Sequence, residues 1–394
     1  MTNRSSTRWS KDGITVVELR GSPAEMGEAH GRLLKNEIQS CYEEFIERRV
    51  LSGIAQELFG DDESKIADFT DWAYAQAEHY VDRIRPAFVE EMQALAHAAG
   101  LSWRQVLLGQ VLLDVVEFAG MAHTDQFFHS CTQAAFLPAV TGGATQVARS
   151  LDWPPYGMAH KVMALFHFMP DDGIAFWSPG FVGNIGTLTA YNHAGLVVTE
   201  ESLTETTDVS DQGVPQFLLH RELAQFHDDL DDAARYLIGS PRNNGYHTLL
   251  SDANRGDALT VLTSAHHHTL RGPRDGVCWG VEIDRQPERY RDGAMPHPDV
   301  PLSNRGSDVR YARLKQLVDG RDGDVNADKL MTWLADDLDI TTGKPGTSLN
   351  CLANETTLQC FVADTARREF FVAMGQVPAS AGGFVRFSLN EQPQ

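Results

Sequence analysis

The chain reads Ser130-Cys131-Thr132-Gln133-Ala134-Ala135-Phe136, and 18 residues beyond the cysteine it reads Arg149-Ser150-Leu151-Asp152-Trp153-Pro154. Both stretches have strand character, and Pro138 and Gly142-Gly143 lie between them as turn residues. The spacing therefore predicts two neighbouring strands, with a cysteine near the start of one and an arginine and an aspartate three apart on the next.

That grouping has a definite chemistry. A thiol nucleophile needs a base for its proton, a charge that favours thiolate, and donors for the oxyanion. If the Ser130–Cys131 bond is cut, Cys131 gains a free α-amine, whose reference pKa of about 7.7–8 suits a base at neutral pH. Arg149 supplies the fixed positive charge, and Asp152 can hold the amine by accepting its N–H. Taken singly, a lone cysteine is most often a small buried hydrophobe and Arg-x-x-Asp a surface pair. The whole string in β-rich surroundings is far less easily chance. His129, two residues before Cys131, offers the alternative of a conventional Cys–His pair, since residues i and i+2 of a strand face the same way.

Working outward, the first third reads as one short strand and then helices. Ile14–Leu19 is β-rich, and Ser22-Pro23-Ala24-Glu25 is a capping box with proline at the first helical position. Gly27 and Gly31 follow at a spacing that lets backbones approach. Residues 66–99 carry a helical pattern broken near Pro86, and Ser102 caps a further helix. After Cys131 the period changes. Short strands are expected at 132–136, 144–151, 162–168, 174–177, 181–189 and 196–200, then helices over 214–238, strands over 246–283, helices at 308–319 and 326–337, and a closing strand pair at 357–363 and 368–373.

Bulk properties exclude several classes. With 394 residues, 42% hydrophobic and 22% charged, the chain has an ordinary globular composition. A formal charge of −21 argues against nucleic acid or an anionic membrane as partner. No apolar run reaches the roughly 18 residues of a membrane span, and the first residues lack the apolar core of a signal peptide, so a cytoplasmic protein is expected. The five scattered cysteines include no Cys-x-x-Cys pair, which speaks against a disulfide scaffold or a zinc site. His266-His267-His268 reads as a surface stretch because neighbours on extended chain point apart, and Asn354-Glu355-Thr356 as a chance glycosylation sequon. No metal and no cofactor is called for.

The string Cys131-Thr132 followed by Arg149-x-Leu151-Asp152-Trp153-Pro154 resembles that of the N-terminal-nucleophile (Ntn) cysteine hydrolases. These include the penicillin acyl-coenzyme A acyltransferase group and the acid ceramidase, N-acylethanolamine acid amidase and choloylglycine (bile salt) hydrolase superfamily. Leu19-Arg20-Gly21-Ser22-Pro23 with Gly27, His30 and Gly31, and Tyr191-Asn192-His193-Ala194-Gly195-Leu196-Val197-Val198, also resemble segments of the acyltransferase group. The resemblance implies an α+β fold, a four-layer αββα sandwich, with residues 1–130 as a mostly helical N-terminal segment and 131–394 as the catalytic core. It implies self-cleavage between Ser130 and Cys131, with both pieces staying associated and a homo-oligomer possible.

The implied activity is hydrolysis of a linear, non-peptide amide of a small acylated amine or amino acid. Acyl transfer to an amine, or amide binding without turnover, are the alternatives. Cys131, Arg149 and Asp152 fall on the family's nucleophile, arginine and aspartate. Glu201 falls where the relatives end a strand in Asn or Glu beside the oxyanion. Asp284, in Trp279-Gly280-Val281-Glu282-Ile283-Asp284, stands where they place an Asn. An ionised aspartate repels an oxyanion, so the substitution implies a protonated Asp284, a backbone N–H in its place, or altered activity. Arg310, in Ser307-Asp308-Val309-Arg310-Tyr311, resembles a family helix start and is expected to pin structure by charge pairing.

Overall fold

The fold is given by a computed structural model, which describes residues 5–119, 130–202, 206, 208–280 and 306–391. The chain opens with a hairpin, β1 (Thr7–Lys11) and β2 (Ile14–Gly21). Ser22 then caps α1 (Pro23–Leu33), its hydroxyl accepting from the Glu25 amide while the Glu25 carboxylate accepts from the Ser22 amide. α2 (Lys35–Ser40) runs into a π-helical stretch, Cys41–Leu51, and then α3 (Ser52–Phe59). α4 (Glu63–His79) and α5 (Pro86–Ala99) form the pair expected from the break at Pro86, and α6 (Trp103–Phe118) starts at the predicted cap, Ser102.

Beyond residue 130 come β3 (Ser130–Phe136), the single turn α7 (Pro138–Thr141), β4 (Gln146–Asp152), β5 (Met163–Pro170), β6 (Phe176–Phe181), β7 (Thr189–Asn192) and β8 (Leu196–Ser202). The strand expected over 181–189 is instead a loop between β6 and β7. Gly183 there has a φ of 82°, and its amide donates to His30 Nε2 at 3.0 Å rather than to a ladder. Next are α8 (Gln216–Phe226), α9 (Leu230–Gly239), β9 (Tyr246–Asp252), β10 (Asp257–Thr263), β11 (His268–Arg271) and β12 (Val277–Trp279). α10 (Ser307–Asp319), α11 (Ala327–Leu334), the small pair β13 (Leu338–Asp339) and β14 (Lys344–Pro345), then β15 (Thr357–Asp364), β16 (Glu369–Met374) and β17 (Val385–Ser388) complete the chain.

Nine strands form one sheet in the order β1-β2-β5-β6-β7-β8-β9-β10-β11, and six form a second in the order β12-β3-β4-β15-β16-β17. Only the β2–β5 pairing is parallel among these strand pairs; the N-terminal hairpin is thereby built into the large sheet. Val16, Leu165, Trp177 and Tyr191 from the large sheet meet Ala135, Val147, Phe361 and Phe370 from the small one in a core between the sheets. The outer face of the large sheet is covered by α1–α6 and by α8 and α9, and that of the small sheet by α10 and α11. This is the four-layer αββα sandwich. Burial of these apolar faces at about 25 cal/mol per Å² is its main stabilising term.

Two features tie the helical layer down. A Cβ on Gly27 would stand 2.0 Å from the Glu91 carbonyl oxygen, so α1 and α5 meet at a distance that only glycine permits. Arg221 on α8 makes a bidentate pair with Glu91 on α5, at 2.9 and 2.7 Å, with neither side chain exposed.

Candidate active site

Alternation along two adjacent strands of the small sheet sets the site. β3 and β4 run antiparallel, with Ser130 opposite Asp152, Cys131 opposite Leu151 and Gln133 opposite Arg149. Cys131, Gln133 and Ala135 face the large sheet, as do Val147 and Arg149, whereas Thr132, Ala134 and Ala148 face α10 and α11. Arg149 and Asp152, three apart, therefore work from opposite faces of one strand. Arg149 reaches the cysteine from between the sheets. Asp152 sits at the strand end, across from the Ser130 backbone.

The Arg149 guanidinium is fully buried and meets acceptors on β3 beside it and on β7 and β8 of the facing sheet. Its Nη2 lies 3.2 Å from Cys131 Sγ and donates to the Glu200 carbonyl at 3.0 Å, Nε donates to the same carbonyl at 3.3 Å, and Nη1 donates to Thr189 Oγ1 at 2.8 Å. Thr189 is itself held by Gln359 Nε2 at 3.1 Å. Three of the five guanidinium donors are therefore used to fix one orientation against the thiol. Burial pushes the Cys131 thiol up. The Arg149 charge opposes this, while Glu200, Glu201 and Asp152 add to it.

Asp152 is held by four groups. Thr357 Oγ1 donates to Oδ1 at 2.7 Å, Asn354 Nδ2 donates to Oδ2 at 3.0 Å, and Arg310 Nε stands 3.6 Å from Oδ2. The fourth is the Arg149 charge. Burial raises its carboxyl above the usual range against all four. Arg310, on α10, also donates to Thr132 Oγ1 at 3.2 Å, so one guanidinium links the aspartate to the residue after Cys131. The charge pairing expected of Arg310 is made with Asp152 itself.

Glu200 and Glu201 divide by the same alternation. The Glu200 carbonyl orients Arg149, and its side chain turns to the helical layer, where Gln216 Nε2 donates to it at 2.5 Å and Ser202 Oγ at 3.1 Å. Glu201 shares a face with Thr199, whose hydroxyl donates to Gln133 Oε1 across the sheets at 2.6 Å, and it is buried. The strand-end carboxylate on the Cys131 side is thus Glu201. Ser130 begins β3 as the backbone partner of Asp152. Asp284 and His129 lie outside the described residues.

Several site residues escaped the sequence reading. Asn354, expected to be only a chance sequon, is buried and holds Asp152. Thr357 and Gln359 lie on β15, far along the chain, and no local signal marks them. Gln133 could have been found, since the period of two puts it on the face of Cys131; its amide donates to the His247 carbonyl at 2.7 Å while accepting from Thr199. His247, on β9 opposite Glu201, has no sequence signal at all. Among the described residues no cluster of three or more His, Cys, Asp or Glu could hold a metal ion, and no helix is long and apolar enough to cross a membrane. His266, His267 and His268 are exposed.

Comparison with known proteins gives a family match over part of the chain. Residues 141–280 match the family described as acyl-coenzyme A:6-aminopenicillanic acid acyl-transferase. The match includes Arg149, Asp152, Glu201 and His247 and begins beyond Cys131. The chain resembles the penicillin acyl-coenzyme A acyltransferase group of the Ntn hydrolases, as its motifs imply. Among curated relatives, an uncharacterized protein of Archaeoglobus fulgidus is 27% identical over 64% of this chain and 44% of its own length. Protein dcd1A of Dictyostelium discoideum is 23% identical over 58% of this chain and 54% of its own. The chain thus spans about half the length of these relatives.

Solved structures that align with it include penicillin V acylase from Agrobacterium tumefaciens, at 17% identity and a TM-score of 0.40, covering 62% of this chain and 83% of that one. Another is the Caenorhabditis elegans N-acylethanolamine-hydrolyzing acid amidase ortholog, at 12% identity and a TM-score of 0.39, covering 64% and 95%.

Proposed function

We propose that the chain cleaves itself between Ser130 and Cys131 and then hydrolyses a linear, non-peptide amide of a small acylated amine or amino acid. The observation that carries this reading is the buried Arg149 Nη2 placed 3.2 Å from Cys131 Sγ, with Asp152 across the strand from Ser130. In the uncut chain the thiol is pushed up by burial and has no α-amine beside it. Cleavage supplies that base in place.

In the first reaction Sγ attacks the Ser130 carbonyl carbon and a C–S bond forms. The Ser130–Cys131 C–N bond breaks, and the thiol proton goes to the new amine. Water then hydrolyses the thioester, leaving pieces of residues 1–130 and 131–394. In turnover, Cys131 adds to the substrate carbonyl, its α-amine carries the proton to the leaving nitrogen, and water releases the acyl group. Arg149 favours the thiolate, and Asp152 accepts from the α-ammonium. Glu201 must be protonated if it is to donate to the oxyanion.

Intact-mass spectrometry of the purified protein and of Cys131→Ala tests the reading. Two chains meeting between Ser130 and Cys131 are expected, and a single uncut, inactive chain in the variant. Turnover that survives in Cys131→Ala overturns it. The family description favours acyl transfer as the second reading; a thioester partitioning to an added amine faster than to water would select it.

A further inference from the structure

His247 belongs to the strand pair that meets Gln133, two residues along β3 from Cys131, and one of its ring nitrogens is bonded while the other has no partner among the described residues. It lies on β9 directly opposite Glu201 on β8. Opposed residues of an antiparallel pair share a face, with Cβ atoms about 4.5–5.5 Å apart. That face is turned to β3, because Thr199, two residues before Glu201, and the His247 carbonyl both bond to Gln133. His247 Nδ1 stands 2.8 Å from the Gly280 carbonyl oxygen. A carbonyl only accepts, so Nδ1 carries the hydrogen and Nε2 keeps its lone pair. That nitrogen is buried and has no hydrogen-bond partner among the described residues. A buried acceptor without a donor is costly, about 1–3 kcal/mol. Burial and the Arg271 charge push the imidazole down to about 3, so it stays neutral.

We propose that His247 Nε2 accepts the N–H of the scissile amide and so makes the site selective for amides over esters of the same acyl group. The inference rests on the Cys131 reading above. When Sγ adds to the carbonyl, the C–S bond forms and the π pair moves to oxygen. The nitrogen loses its resonance and becomes pyramidal. Its new lone pair must face the α-ammonium of Cys131, so its own hydrogen must point elsewhere and needs an acceptor. The C–N bond then breaks as nitrogen takes the α-ammonium proton. His247 gains and loses no proton; it orients the nitrogen. An ester has no hydrogen at that atom and draws nothing from His247.

Acylation of Cys131 by p-nitrophenyl acetate and by p-nitroacetanilide tests this, since the two probes differ only in O against N–H at the leaving atom. His247→Asn keeps a donor near the Gly280 carbonyl but lacks an acceptor at the Nε2 position. Its amide-to-ester rate ratio is expected to fall about three- to tenfold, the worth of one neutral hydrogen bond. His247→Gln returns an oxygen near that position and is expected to recover part of the ratio. A ratio cancels any loss of folded protein, which moves both rates alike. An unchanged ratio in His247→Asn overturns the proposal. Failure of both probes to acylate wild-type Cys131 overturns the Cys131 reading instead, and this one with it.

Discussion

Replacing Arg149 with methionine removes the cation that contacts Cys131 Sγ while keeping most of the apolar stem. At the observed 3.2 Å, a full unit-charge pair is worth about 5 kcal/mol at an effective dielectric of ~20. The neighbouring Glu200, Glu201 and Asp152 charges act on the thiol in the opposite sense. Taking about half of the ceiling leaves roughly 2.7 kcal/mol of lost thiolate stabilisation, a factor of about 100 at fixed pH.

Iodoacetamide alkylation followed by peptide mass mapping reads this at Cys131 alone. The other four cysteines, Cys41, Cys278, Cys351 and Cys360, are buried as Cys131 is but make no hydrogen bond with Arg149, so a change in their rates reports global unfolding in the same digest. Cys131 alkylation between pH 7 and 9 is expected to slow about 100-fold in Arg149→Met. It should slow less in Arg149→Lys, which keeps the charge but not the three-donor geometry. Equal Cys131 rates in wild type and Arg149→Met, with the other four cysteines still protected, would refute the assignment of Arg149 as the thiol's electrostatic partner.

Glu91→Gln leaves Arg221 buried without its counter-charge, at a cost of about 3–5 kcal/mol. Its urea midpoint should fall, and in cleaved protein the 1–130 piece should separate at lower urea; an unchanged midpoint contradicts the clamp. Stability should also peak near pH 6–6.5. Burial pushes His30 and His247 down to about 3 and His193 and His220 to about 4. Their contribution is therefore present above the unfolded value of about 6.5 and is lost as pH falls towards 4. Asp114 and Glu117, pushed up to about 8, act in the opposite sense, with stability lost as pH rises through 8. A Tm flat between pH 4 and 8 would count against these buried groups being neutral.

How much of this was legible in the sequence depends on the range over which each contact is specified. The Ser22 and Ser102 caps and the break at Pro86 are local backbone chemistry, and the helices begin or break there. Gly27 declared a close approach but not its partner; only packing shows that the partner is the Glu91 carbonyl. The strand expected over 181–189 is a loop at 182–188, where the apolar residues Val182, Ile185 and Leu188 fall three apart and not two. The Gly183 amide is satisfied by His30 instead of by a ladder, and that contact spans 153 positions. Within the site the same limit applies. Arg149 and Asp152 could be named from their spacing to Cys131, and period-two alternation already implies that they leave β4 on opposite faces. What cannot be read locally is what each face meets. Arg149 is oriented by the carbonyl of Glu200 and the hydroxyl of Thr189, and Asp152 by Asn354, Thr357 and Arg310. Four of these five partners are polar atoms of unremarkable residues, made specific only because two sheets and a helix close around two strands. Tuning of the thiol therefore belongs to the closed sandwich, and a fragment carrying β3 and β4 alone would hold the motif without its chemistry.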